Sequence, residues 1–221
     1  MKIPVSHGHL EALLRDPVGG LVGGGVFCHP HPIHGGTMHT KAVYRAARAF
    51  LDLRLRTLRF NFRGVGCSTG TFEDGIGEEE DVRAALDWLE LGGVRNLPVV
   101  LGGISFGSMV GLAVGVNDPR VGALVALGTP IHVYDYSYLS GTGKPVLVIQ
   151  GGDDEFGTPA EVREALEPLG SHITVVGIPG SGHLFEGHFE AVQGIIEEFF
   201  LRGPGADVLT GVTGSSAEVA R

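Results

Sequence analysis

Seven short apolar runs, separated by stretches of helical spacing, constrain this chain more than any other feature. They lie at residues 9–14, 21–28, 56–60, 98–104, 121–127, 145–150 and 173–178. Several are apolar without alternation, the pattern of strands covered on both faces. Between them, residues 39–51 carry apolar side chains at 42, 43, 46, 47 and 50, with Lys41, Arg45 and Arg48 opposite. Residues 78–91 open with Glu78, Glu79, Glu80 and Asp81 at the positive end of a helix dipole, then offer Val82, Ala85, Leu86 and Leu89 as a buried stripe. Residues 105–116 are apolar nearly all round, which predicts a central, buried helix. Thr158-Pro159-Ala160-Glu161 has the form of a capping box with proline at the first helical position. A last helix is expected over 184–201, with Phe185, Phe189, Val192, Ile196 and Phe199 on one side. Strands alternating with helices predict an α/β fold: a mostly parallel central sheet with helices on both faces.

The length of 221 residues suits one domain, expected over 1–202. Residues 203–221 lose periodicity and turn small and polar, so a flexible tail is expected there. The net charge of −9 argues against nucleic acid or an anionic membrane surface as partner, since either needs a basic face. The N-terminus lacks the apolar core of a signal peptide, and no run approaches the length of a membrane span. With only Cys28 and Cys67, the chain reads as a cytoplasmic protein with free thiols, monomeric or homodimeric.

The G-x-S-x-G pattern occurs twice, around Ser105 (Gly103-Ile-Ser-Phe-Gly107) and around Ser68 (Gly66-Cys-Ser-Thr-Gly70). In a chain with 37 glycines the bare pattern means little, so context decides. Ser105 follows an apolar strand and precedes an apolar helix. A sharp strand-to-helix turn there strains the serine backbone and lifts Oγ above the sheet, and side chains at 103 and 107 would collide across it. Ser68 lies between two loops, where nothing builds such an elbow. Ser105 is therefore the candidate nucleophile.

A serine hydroxyl needs a general base, and the base needs a carboxylate to hold its tautomer. The run PVLVIQ ends in Gly151-Gly-Asp-Asp-Glu-Phe156, which offers Asp153 and Asp154. The run ITVVGIP ends in Gly180-Ser-Gly-His183. Both loops follow strands, so their side chains emerge with Ser105 at the carboxyl edge of a parallel sheet. The other histidines fit less well: His188 falls within the last helical pattern, His172 begins a strand, and His132 precedes the acids.

These motifs, with Cys28-His-Pro-His-Pro-Ile-His-Gly-Gly36 and Asn61-Phe-Arg-Gly-Val-Gly66, resemble the α/β-hydrolase superfamily, in particular its small cap-less, esterase-like members related to dienelactone hydrolases. The resemblance spans roughly residues 9–200. It implies a Ser105–Asp154–His183 triad, because similar proteins carry Gly-x-x-Asp after this strand, matching Gly151 and Asp154. It also implies an oxyanion hole formed by the backbone N–H groups of Phe106 and His31. The stretch His29-Pro30-His31 stands where the family has His-Gly-x, with Pro30 in place of the glycine. His29, His31, His34 and His39 invite a zinc reading, but there is no H-E-x-x-H helix and the oxyanion-loop position already accounts for them. No metal and no cofactor are expected. Arg63 is expected to anchor its loop on backbone carbonyls. Cys28 and Cys67 follow what should be neighbouring strands and could lie close. The connection 128–143 is too short for a cap, and Tyr134, Tyr136 and Tyr138 could rim a pocket. The implied activity is hydrolysis of small or short-acyl esters. Thioesters, lactones or small peptides are alternative substrates on the same residues, and a non-catalytic binding protein is the alternative outside enzymes.

Overall fold

The computed structural model describes residues 1–210. Its eight strands are β1 (Lys2–Val5), β2 (Gly8–Arg15), β3 (Gly23–Cys28), β4 (Leu55–Phe60), β5 (Val99–Ile104), β6 (Val121–Leu127), β7 (Val146–Gly151) and β8 (Ile173–Ile178). They form one sheet in the order β1-β2-β4-β3-β5-β6-β7-β8. β1 pairs antiparallel with β2, and β2 with β4; every other pairing is parallel. The helices are α1 (Lys41–Asp52), α2 (Ile76–Leu89), α3 (Phe106–Gly115), α4 (Pro159–Leu166), α5 (Phe189–Leu201) and α6 (Ala206–Thr210).

The unalternating runs are explained by what covers them. β3, β5 and β7 are buried at every position. Successive residues of β5 enter opposite cores: Leu101 packs with Val82, Leu86 and Val110, whereas Val100 and Ile104 pack with Phe50, Ile196 and Phe199. α2, α3 and α4 thus cover one face, and α1, α5 and α6 the other. The capping box at Thr158 forms as expected, with Thr158 Oγ1 accepting from Glu161 N and the Glu161 carboxylate accepting from Thr158 N.

Five features differ from expectation. β1 is an added edge strand, too short and mixed to read as one. The last helix begins at Phe189, not at 184, because Phe185 and Gly187 take positive φ values of 59° and 79°. Phe185 is fully buried from that turn, so its place in the apolar periodicity imitates a helical position. Arg63 binds carboxylates rather than carbonyls: Asp81, Glu80 and Glu73 surround it, and Asp81 also accepts from its backbone N–H. Tyr134, Tyr136 and Tyr138 do not rim the cavity at Ser105; Tyr134 and Tyr136 line a separate one beside Ala165 and Leu166, and Tyr136 and Tyr138 face α3. Their hydroxyls bond Ser108 Oγ and Met109 O, which clamps α3 to the short connection after β6. After α5 the chain turns into α6, whose Leu209 is buried; the expected tail lies otherwise at 211–221, outside the described residues.

Candidate active site

Ser105 stands between β5 and α3 with φ 55° and ψ −124°, a conformation that L side chains rarely adopt. The strain is held by its neighbours: Ser105 N donates to Leu127 O at 2.9 Å, and Ser105 O accepts from Ser108 N and Ser108 Oγ. The flanking glycines are sterically required. A Cβ on Gly103 would lie 2.1 Å from Gly107 O, and one on Gly107 would lie 2.3 Å from His29 O.

His183 Nε2 lies 2.8 Å from Ser105 Oγ, and Nδ1 lies 2.9 Å and 3.1 Å from the two oxygens of Asp154. The Asp154 side chain is completely buried. It also accepts from Phe156 N at 2.9 Å and from Gln150 Nε2 at 2.8 Å. The turn from Gly151 to Gly157 therefore aims Asp154 inward and leaves Asp153 exposed. Gln150 was not among the residues singled out from the sequence. Its buried amide spans three segments, donating to Asp154 and Gly157 O while accepting from Thr129 N. The available signal was a lone polar side chain near the end of an otherwise apolar strand.

The rival residues lie elsewhere. Ser68 Oγ donates to Asn61 O at 2.7 Å and accepts from Glu11 N at 2.8 Å, stitching β2 to the loop after β4. His188 bonds Glu186 O, His172 bonds Leu139 O, and His132 faces Glu161.

The loop after β3 runs over the serine. His29 is fully buried between two backbone groups: Phe62 N donates to Nε2 at 3.0 Å, and Nδ1 lies 2.6 Å from Pro30 O. An acceptor Nε2 and a donor Nδ1 define one neutral tautomer. Burial pulls the pKa of His29 down to about 4. His31 O accepts from His34 N and Gly36 N, which closes the next turn. The His31 ring packs on Phe106 with centroids 4.9 Å apart. Among the described residues, the backbone N–H groups of His31 and Phe106 have no acceptor within the protein. Burial, chiefly, lowers the pKa of the His31 ring, and nearby His34 adds to it.

The cavity above Ser105 has a volume of about 230 Å³ and is lined by His31, His34, Thr40, Phe156, His183 and Leu184. Among the described residues, its lining contains no lysine or arginine. Although the His31 and His34 rings lie 4.6 Å apart, no group of three metal-ligating side chains occurs among the described residues. Cys28 is buried and Cys67 exposed, both as free thiols. Burial raises the Cys28 pKa, which leaves it an inert core residue. Among the described residues, no helix is long and apolar enough to cross a membrane.

Comparison with known proteins agrees with this fold. A family model described as an alpha/beta hydrolase domain matches residues 33–191. The uncharacterized protein RP471 of Rickettsia prowazekii is 33% identical over 181 residues, covering 78% of this chain and 76% of that protein. Among solved structures, an alpha-beta serine hydrolase homologue from Coxiella burnetii is 34% identical with a TM-score of 0.83, over 90% of this chain and 95% of that one. XC6422 from Xanthomonas campestris, described as a serine hydrolase without lid, is 31% identical with a TM-score of 0.81, over 91% and 93%.

Proposed function

Because the chain belongs to the alpha/beta hydrolase family, we propose that it is a serine hydrolase that cleaves small or short-acyl carboxylic esters through an acyl-enzyme on Ser105. The observation that carries this reading is the unbroken hydrogen-bonded series from Ser105 Oγ through His183 to buried Asp154. In the proposed reaction Ser105 Oγ attacks the ester carbonyl while His183 Nε2 accepts its proton. Asp154 keeps Nδ1 protonated and stabilises the imidazolium that forms. The N–H groups of His31 and Phe106 take the developing oxyanion, each worth about 3 kcal/mol in such sites. His183 then protonates the departing alcohol, and water hydrolyses the acyl-enzyme by the same route. The small cavity beside Ser105 suits a short acyl group, and no cofactor enters the scheme. The two free thiols fit a reducing, cytoplasmic setting.

The test is labelling with a fluorophosphonate, followed by peptide mapping and assay on short esters, a thioester, a lactone and a dipeptide. Stoichiometric label on Ser105, abolished in Ser105→Ala and His183→Ala, is the expected result. Asp154→Asn should lower kcat by several orders of magnitude, somewhat less than the other two. Ser68→Ala should retain both label and turnover. Label on Ser68, or none on folded protein, would sink the reading, and the panel identifies which acyl bond is cleaved.

A further inference from the structure

Five arginines are at least partly withdrawn from solvent: Arg45, Arg56, Arg59, Arg63 and Arg120. Four of them have a carboxylate within ion-pair distance. Arg59 has none among the described residues. One of its N–H groups donates to Met38 O at 2.8 Å, and its guanidinium lies over the Tyr44 ring, 5.4 Å from the centroid. Burial lowers the Arg59 pKa, opposed by Tyr44 and reinforced by Arg15. Asp16, which shares a cavity wall with Arg59, Arg15 and Arg48, is bound to Arg56, so among the described residues this half-buried cation has no carboxylate within ion-pair distance. Arg59 opens into a cavity of about 540 Å³ whose walls also carry His39, Lys41, Tyr44, Arg45 and Phe189. Lys41 is exposed there with no carboxylate partner among the described residues, and Glu190 already binds Arg45. In a chain of net charge −9, such a concentration of positive charge marks a place for an anion.

The position of this cavity says which anion. The two segments that wall the space above Ser105, through His34, Thr40 and Leu184, also wall the second cavity, through His39, Lys41 and Phe189. Thr40, on the wall of the first, is flanked in the chain by His39 and Lys41, on the wall of the second. We propose that the second cavity is the subsite for an anionic group of the substrate, a carboxylate or phosphate on the ester, bound by Arg59 and Lys41. The unused N–H donors of a planar guanidinium suit paired oxyanion oxygens, and the ammonium adds a mobile point charge. The inference rests on the esterase reading above and narrows its substrate class to charged esters.

The experiment compares two charged esters with their neutral methyl esters: 4-acetoxybenzoate, charged on the alcohol side, and mono-4-nitrophenyl glutarate, charged on the acyl side. At least one charged ester should exceed its neutral partner about tenfold in kcat/KM, chiefly through KM, and salt should erode the difference. Arg59→Gln and Lys41→Glu should each bring the ratio toward one, and the neutral ester in the same sample corrects for loss of folded protein. Ratios near one in the wild type, or ratios unchanged in both variants, overturn the subsite while leaving ester hydrolysis intact. If no ester is cleaved, the esterase reading fails and direct titration of Ser105→Ala with 4-acetoxybenzoate decides the subsite. Binding that weakens about tenfold on adding Arg59→Gln supports it, and absence of binding overturns it.

Discussion

Gln150 shows how much of the site depends on a residue that performs no chemistry. Its amide holds Asp154 from below while tying the turns at Thr129 and Gly157 to the same point. Gln150→Leu preserves volume but removes all three bonds and leaves Thr129 N and Gly157 O buried without partners. Stability should fall by about 2 kcal/mol or more in thermal unfolding. Per folded molecule, kcat on a neutral ester should fall about tenfold with little change in KM, because the proposed role is to orient Asp154 rather than to bind substrate. An unchanged kcat would assign Gln150 to stability alone. The two neighbouring aspartates mark the limit of sequence at this scale. Nothing in Asp153-Asp154 taken as residues separates them, and the resemblance chose Asp154. The physical difference is the turn, which gives Asp154 two neighbouring donors and leaves Asp153 in water.

Among the elements, the strand-to-helix turn at Ser105 was fully legible, because a motif, an apolar strand and an apolar helix all agreed. It also yields a test in which two physical effects have opposite signs. Gly107 lies in the first turn of α3, where helix propensity alone makes Gly→Ala favourable by about 1 kcal/mol. The contact with His29 O makes Gly107→Ala unfavourable, because α3 must move away from the loop after β3. Calorimetry should show destabilisation of about 2 kcal/mol or more, and fluorophosphonate labelling should slow as the N–H groups of Phe106 and His31 separate. A raised melting temperature would show that the close approach relaxes freely. The start of α5 was legible only in part. Apolar spacing at 185, 189 and 192 fits a helix, but periodicity does not register the positive φ of Phe185, which places that ring in the core from a turn.

At the scale of the molecule, His29 joins the loops that follow β3 and β4, and it does so only as a neutral ring. Its folded pKa of about 4 lies below the ordinary value of 6.5. Above pH 6.5 the ring is neutral in both folded and unfolded chains, and its stabilising contribution is complete. Between 6.5 and about 4 the unfolded chain binds the proton and the folded one does not, so stability falls with falling pH, by about 3 kcal/mol from this group. His29→Gln should be less stable than wild type at pH 7, with the gap narrowing by about that amount at pH 4 in denaturant unfolding. A constant gap would mean that His29 titrates normally in the folded protein.

The sequence by itself determined the class of fold, the elbow serine and the histidine. Each is written locally: a period of two or 3.6, a run of apolar residues, a pattern of glycines around one serine, a histidine on a loop after a strand. The tertiary structure alone decided the partners. Arg63 meets Asp81 from α2, Tyr136 reaches Ser108, Gln150 reaches Asp154 and Gly157, and among the described residues Arg59 is left without a carboxylate. Arg63 and Asp81 lie 18 positions apart and Tyr136 and Ser108 lie 28 apart, whereas Gln150 reaches Asp154 and Gly157 only because the turn folds back on it. Whether a charge or an amide finds a partner depends on which segments the sheet order brings together, and local periodicity carries no record of that.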